Sequence, residues 1–191
     1  PESSKDVLIE NCYFDTGDDC IAIKSGRNND GRRVGVASEN IIVRNCNFKD
    51  GHGGITVGSE CSGGFRNLFA ENNKLDSPDL WTALRIKNNA SRGGRIENLY
   101  FRNITVGKVS RSAIVMDFNY EEGAKGEYTP IVRNFVVENL TAQDCNKAVD
   151  LQGLDKAPLY DIVFKNCDFG KVTNANIVKN VQNLKLENVK M

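Results

Sequence analysis

Two adjacent carboxylates, Asp18 and Asp19, lie in the run Gly17-Asp18-Asp19-Cys20, just ahead of the apolar alternation Ile21-Ala22-Ile23. Neighbouring carboxylates resist ionising together, so one of them can keep a proton near neutral pH and act as an acid. His52, the only histidine, stands in Gly51-His52-Gly53 ahead of a second such run, Ile55-Thr56-Val57. Arg85 and Lys87 flank Ile86 in a third. Cations beside carboxylates suit a negatively charged substrate. Singly, each feature is ordinary: Gly-Asp-Asp favours a turn, and a lone histidine or outward cations commonly just meet solvent. Counted back from Ile21, Ile55 and Leu84, however, Asp18, His52 and Trp81 share one offset. Lys24 and Lys87 share another, three places after Ile21 and Leu84. These residues do chemistry together only if the chain stacks the three runs.

A repeat supplies that stacking. The octet Val7-Leu8-Ile9-Glu10-Asn11-Cys12-Tyr13-Phe14 returns as Ile41 to Phe48, Leu68 to Leu75, Leu99 to Val106, Phe135 to Ala142, Ile162 to Phe169 and Leu184 to Met191. Its first, third, sixth and eighth places are apolar, with Asn73 the chief exception. The central Asn recurs with a mean spacing of 29.5 residues, and Asp or Asn precedes every octet. A short alternating run follows each of the first six octets, which is the period of a half-buried strand. Two or three short strands per 30 residues, without helical periodicity, make one coil of a parallel β-helix. The fourth octet place reads Glu10, Arg44, Glu71, Arg102, Glu138, Lys165, Glu187, alternating in sign. Parallel strands lie about 4.8 Å apart, so this column favours in-register stacking. The expected architecture is an all-β, right-handed parallel β-helix of about seven coils, with 1–191 as one domain. The Asn column is expected to stack its side-chain amides.

Composition removes other classes. The chain has 191 residues, with 25 Lys+Arg against 25 Asp+Glu, so nothing in its charge calls for nucleic acid. No apolar run reaches the roughly 18 residues of a membrane span, and no signal peptide opens the sequence. Cys12, Cys46 and Cys167 share an inward column with Ile104, Leu140 and Val189 and read as free core thiols, a Cys12–Cys46 disulfide being the alternative. Cys20, Cys61 and Cys145 lack zinc-site spacing. No metal or other cofactor is expected.

The run Gly17 to Gly26, then Gly51-His52-Gly53, then Arg85-Ile86-Lys87, resembles glycoside hydrolase family 28, the polygalacturonases, in order, spacing and placement. The resemblance covers the whole chain. It implies hydrolysis, with inversion, of α-1,4 links between galacturonates in pectic polysaccharide or oligogalacturonate, by a secreted or periplasmic protein. By the same resemblance Asp18 matches the general acid and Asp19 a carboxylate that positions water. His52 matches the imidazole supporting the acid, Arg85 and Lys87 the binders of substrate carboxylate, and Tyr120 a cleft tyrosine. Lys24 joins them as a substrate-binding cation, and Trp81 is either a sugar platform or packing. The family's Asn-Thr-Asp motif, a further water-activating carboxylate, would fall just before Pro1. The chain thus reads as the C-terminal portion of a larger enzyme, inactive or impaired alone, with uncapped coils open to end-to-end pairing.

The basic run Arg27-Asn28-Asn29-Asp30-Gly31-Arg32-Arg33 reads as a long turn, either one that walls one end of a cleft and favours exo-action or, with at least equal weight, a solvated loop. A rhamnogalacturonan hydrolase of the same family is less favoured, because Gly-His-Gly and Arg-Ile-Lys are intact. A pectate lyase needs a larger acidic cluster for calcium. A non-catalytic carbohydrate-binding or adhesin-like solenoid accounts for the repeat but not for the cluster on coils one to three.

Overall fold

A computed structural model of the chain describes residues 1–191. The octets form the first strand of seven successive coils: Lys5–Glu10, Ser38–Arg44, Phe65–Glu71, Arg95–Lys108, Ile131–Cys145, Leu159–Asp168 and Val181–Lys190. Each pairs in parallel with the strand one coil away, in an 11-stranded sheet completed by short strands such as Tyr13–Phe14 and Asn47–Phe48. The alternating runs form a second, 6-stranded parallel sheet: Ile21–Ile23, Ile55–Val57, Leu84–Lys87, Ser112–Asp117, Lys147–Gln152 and Ile177–Lys179. Successive parallel strands joined by crossovers wind right-handed, and the result is a right-handed parallel β-helix.

The register is the one the octets predict. Val7, Ile41, Leu68, Leu99, Phe135, Ile162 and Leu184 stand in one column. A single cluster of 44 buried apolar residues runs between the sheets, so no coil has a core of its own. Cys46 and Cys167 are buried in it, and all six cysteines are free thiols. Asn73 takes an apolar place because its amide accepts from Cys46 N–H at 3.0 Å and donates to the Val43 carbonyl at 2.9 Å. A buried amide so bonded carries little desolvation penalty.

The Asn excess has a backbone cause. Both the central Asn and the Asp or Asn before each octet adopt positive φ, between 52° and 66°. That region is costly for most side chains, while Asn and Asp enter it readily. The amide ladder expected at the central column forms at three of its six steps. The column before the octets forms five of six, Asn40 to Asp6, Asn67 to Asn40, Asn98 to Asn67, Asn134 to Asn98 and Asn183 to Asp161. It breaks between Asn134 and Asp161, where a carboxylate has no N–H to donate.

One segment departs from expectation. The run Arg27–Arg33 is not an extended turn but enters the one α-helix, Asn28–Val34. An Asp30–Arg33 ion pair spans one helical turn, and Gly35 closes the helix in the left-handed conformation at φ 65°. Periodicity could not show this, because seven residues with one buried position carry no amphipathic pattern.

Candidate active site

The second sheet aligns Ile21 with Ile55 and Leu84, so the offsets counted along the sequence become real columns. His52 lies one coil beyond Asp18: its backbone N–H donates to the Asp18 carbonyl at 3.1 Å, and its Nδ1 lies 2.9 Å from Asp18 Oδ1. Both glycines around His52 make room for the aspartate coil. A Cβ on Gly51 would sit 2.6 Å from the Asp18 carbonyl oxygen, and one on Gly53 would collide with Thr56 Oγ1 and lie 2.8 Å from Asp19 Oδ1. Gly-His-Gly is therefore a packing requirement of the coil that carries the two carboxylates.

Asp18 and Asp19 are neighbours in sequence and opposites in environment. The Asp18 side chain is 78% exposed, whereas that of Asp19 is 6% exposed. Asp19 accepts from Lys87 Nζ at 2.6 Å, Arg85 Nη1 at 3.3 Å and Thr56 Oγ1 at 3.1 Å. Arg85 and Lys87 stand two coils away and reach across a column occupied by the small Ala22 and Thr56. Burial works against a charge on Asp18. The Asp19 backbone N–H, the adjacent His52 and the Lys87 charge outweigh it and hold the carboxyl below the usual carboxylate range. The free Asp18 carboxyl is therefore not the one that keeps a proton, because two cations already balance the Asp19 charge.

The remaining expected residues divide. Tyr120 joins the site, its ring 5.2 Å from Lys87 Nζ and 5.9 Å from the Arg85 guanidinium carbon. Burial, then the Glu121 charge, pushes its phenol up, so it stays a neutral donor. Lys24 reaches the same cavity but pairs with Glu60 at 2.7 Å. That hydrogen bond raises Lys24 and holds Glu60 below the carboxylate range, against the effect of burial on each. Lys24 thus enters the cavity as one half of an ion pair. Trp81 is not an open platform, since His52 stacks on one face and Arg111 lies over the ring as well.

A cavity of about 240 Å³ gathers Asp18, Asp19, Lys24, Lys87 and Tyr120. Glu60, Arg92 and Glu121 also line it, and the sequence reading missed all three. Arg92 is 1% exposed and donates to Asn28 Oδ1 at 2.9 Å and Glu121 Oε2 at 2.6 Å. Its only sequence signal is a place among turn residues, Asn88-Asn89 and Gly93-Gly94, which does not announce a buried cation. A larger hollow of about 570 Å³ lies elsewhere, between residues 119–130 and 153–157, and holds none of the expected residues. Chemically, the smaller cavity offers a solvent-facing carboxylate in contact with an imidazole, beside Lys87 and the buried Asp19, which Arg85 holds from outside the lining.

Residues 1–189 match the model of glycosyl hydrolases family 28. The fold superposes on a hyperthermoactive exopolygalacturonase from Thermotoga maritima with a TM-score of 0.95 at 42% identity, covering 100% of this chain and 43% of that one. A probable polygalacturonase of Vitis vinifera is 29% identical over 87% of this chain and 34% of its own length. An exo-poly-alpha-D-galacturonosidase of Dickeya chrysanthemi is 28% identical over 92% of this chain and 30% of its own length. The chain thus spans about a third of the length of these two relatives.

Proposed function

The chain belongs to glycosyl hydrolases family 28, and on that premise we propose that it carries most of the active site of a pectin-degrading glycosidase. The proposed reaction is hydrolysis of α-1,4-galacturonosyl links in polygalacturonate, with inversion. The observation that carries this reading is the cavity lined by Asp18, Asp19, Lys87 and Tyr120, with His52 on Asp18 and Arg85 on Asp19 supporting two of its carboxylates from outside the lining. Asp18 is the general acid, His52 orients it, and Arg85, Lys87 and Tyr120 receive the sugar and its carboxylate. A substrate carboxylate docked on Arg85 and Lys87 brings negative charge to the site and offsets the cations that hold Asp18 low. Binding the anionic sugar therefore favours the protonated acid that the reaction needs.

Asp19 is held by two cations and Thr56, which leaves it better placed to fix Arg85 and Lys87 than to activate water. An inverting glycosidase needs a base with its carboxyl about 6.5–9.5 Å from the acid. On this reading the base comes from a coil upstream of Pro1, and the 191 residues alone turn over polygalacturonate slowly or not at all. A polymeric substrate of this kind places the protein outside the cytoplasm. Exo-action is supported by the wall at the cavity, where Arg92 ties Asn28 to Glu121 and Glu122.

The test uses a chain extended upstream, assayed for reducing sugar and product size on polygalacturonate. Wild type is expected to release single galacturonates as the inverted anomer, and Arg92→Met to shift products toward longer oligomers. Asp18→Asn keeps the shape but cannot donate a proton, so kcat should fall about 10²–10⁴-fold with binding retained. Retention of a third of wild-type kcat would move the acid elsewhere, with Asp19 the first candidate.

A further inference from the structure

The column that begins with Asp18 continues beyond His52. The His52 and Trp81 rings stack with centroids 3.8 Å apart and planes 20° from parallel. The Arg111 guanidinium carbon lies 3.5 Å from the centre of the same indole. Asp18, His52, Trp81 and Arg111 come from four successive coils, so the order is carboxylate, imidazole, indole, guanidinium. The main chain pins the layers as well: Trp81 N–H donates to the Gly51 carbonyl at 2.9 Å, and Arg111 N–H to the Trp81 carbonyl at 2.9 Å.

Two properties of the stack bear on its role. A ring stacked on imidazole and capped by guanidinium has no free face for a sugar. Arg111 also lacks a carboxylate partner, although the chain has 25 acidic residues, and the indole is the partner its charge has. His52 in turn makes one side-chain polar contact, Nδ1 to Asp18 Oδ1 at 2.9 Å. That contact selects which ring edge faces the acid, but one hydrogen bond leaves the ring free to tilt about it. The stack removes the tilt.

We propose that Trp81, clamped by Arg111, is a positioning residue that holds the His52 ring in the plane required to meet Asp18. The part played in turnover rests on the assignment of Asp18 as the acid; the positioning itself does not. Neither residue touches the reacting atoms, so their loss should lower turnover and leave substrate affinity nearly intact.

Two measurements decide it. In the polygalacturonate-active, upstream-extended protein, Trp81→Ala should lower kcat about tenfold while KM changes less than about twofold. Trp81→Phe, which restores a stacked ring, should recover to within about threefold of wild type, and Arg111→Met should fall between the two. A rise in KM at unchanged kcat would identify Trp81 as a sugar platform and overturn the proposal. The second measurement is NMR of the 191-residue chain, where His52 is the only histidine. Its ring protons should be displaced upfield by the indole, and its ring nitrogens should report one tautomer. In Trp81→Ala the displacement should vanish and the tautomers should mix. A His52 spectrum without upfield displacement, or a Trp81→Ala variant that keeps the single tautomer, refutes the proposal. If instead the spectra behave as expected while the extended protein leaves polygalacturonate intact, the positioning stands and the assigned reaction is wrong.

Discussion

Asp19, just ahead of the 6-stranded sheet, and Glu138, on the 11-stranded sheet, make the same kind of contact in different surroundings. Each carboxylate bridges two cations: Asp19 joins Arg85 and Lys87, and Glu138 joins Arg102 at 3.4 Å and Lys165 at 3.8 Å. Around Asp19 the partners are 16% and 9% exposed, while around Glu138 they are 62% and 48% exposed. Water therefore solvates the charges of one bridge and is largely excluded from the other. Removing a carboxylate from the exposed bridge returns two cations to solvent. Removing Asp19 strands two desolvated cations, and that is the costly case. The same repeat thus builds a tolerant surface on one sheet and a charged site on the other, and water access separates them.

The largest expected effect tests this contrast directly. Asp19→Ala should destabilise the chain by about 3–5 kcal/mol, because it leaves Arg85 and Lys87 unpaired. Chemical denaturation measures it, and a loss under about 1 kcal/mol would mean that water reaches the cations after all.

An intermediate case is Lys24–Glu60, whose side chains are 35% and 27% exposed. Glu60 is held below its ordinary value by the Lys24 hydrogen bond, so the folded chain gives up this proton more readily than the unfolded one. The contribution is therefore present above the ordinary Glu range and lost as pH falls through the lowered folded value. Lys24 is raised, so its share holds below the ordinary Lys range and is lost as pH climbs through the raised folded value. Between those limits Glu60→Gln should cost about 1 kcal/mol or less. The Tm difference between wild type and variant should be flat near neutrality and shrink in acid; a difference that grows in acid contradicts the pairing.

The smallest effect belongs to the exposed bridge. Glu138→Gln should cost about 0.2–1 kcal/mol and lose even that in high salt, as screening removes what remains. A salt-insensitive loss of several kcal/mol at Glu138 would erase the contrast with Asp19.

The two bridges also differ in how readable they were. Glu138 and its partners stand in one register column, Arg102 with Glu138 with Lys165, so counting octets finds them. The partners of Asp19 lie two coils away, outside its own column. The octets likewise exposed the coil number and the inward columns, and the short runs that follow them exposed the offset shared by Asp18, His52 and Trp81. They did not expose that Asp19 turns inward, that Lys24 is paired with Glu60, that Arg92 is buried in the wall, or that Trp81 has both faces covered.

What the amino-acid sequence by itself determined is the part of this protein that repeats. The apolar places, the Asn bends and the alternating charges recur every coil, and a periodic backbone turns equal offsets into vertical neighbours. What only the tertiary structure decided is which way the long side chains lean, and whether water follows them. Arg85 and Lys87 reach Asp19 because Ala22, Gly53 and Thr56 leave the space between them open. The Asn28–Val34 helix and the 119–130 segment close over Arg92 through single contacts that no repeat encodes. Such contacts depend on side-chain reach and local dielectric, and a one-dimensional pattern carries neither.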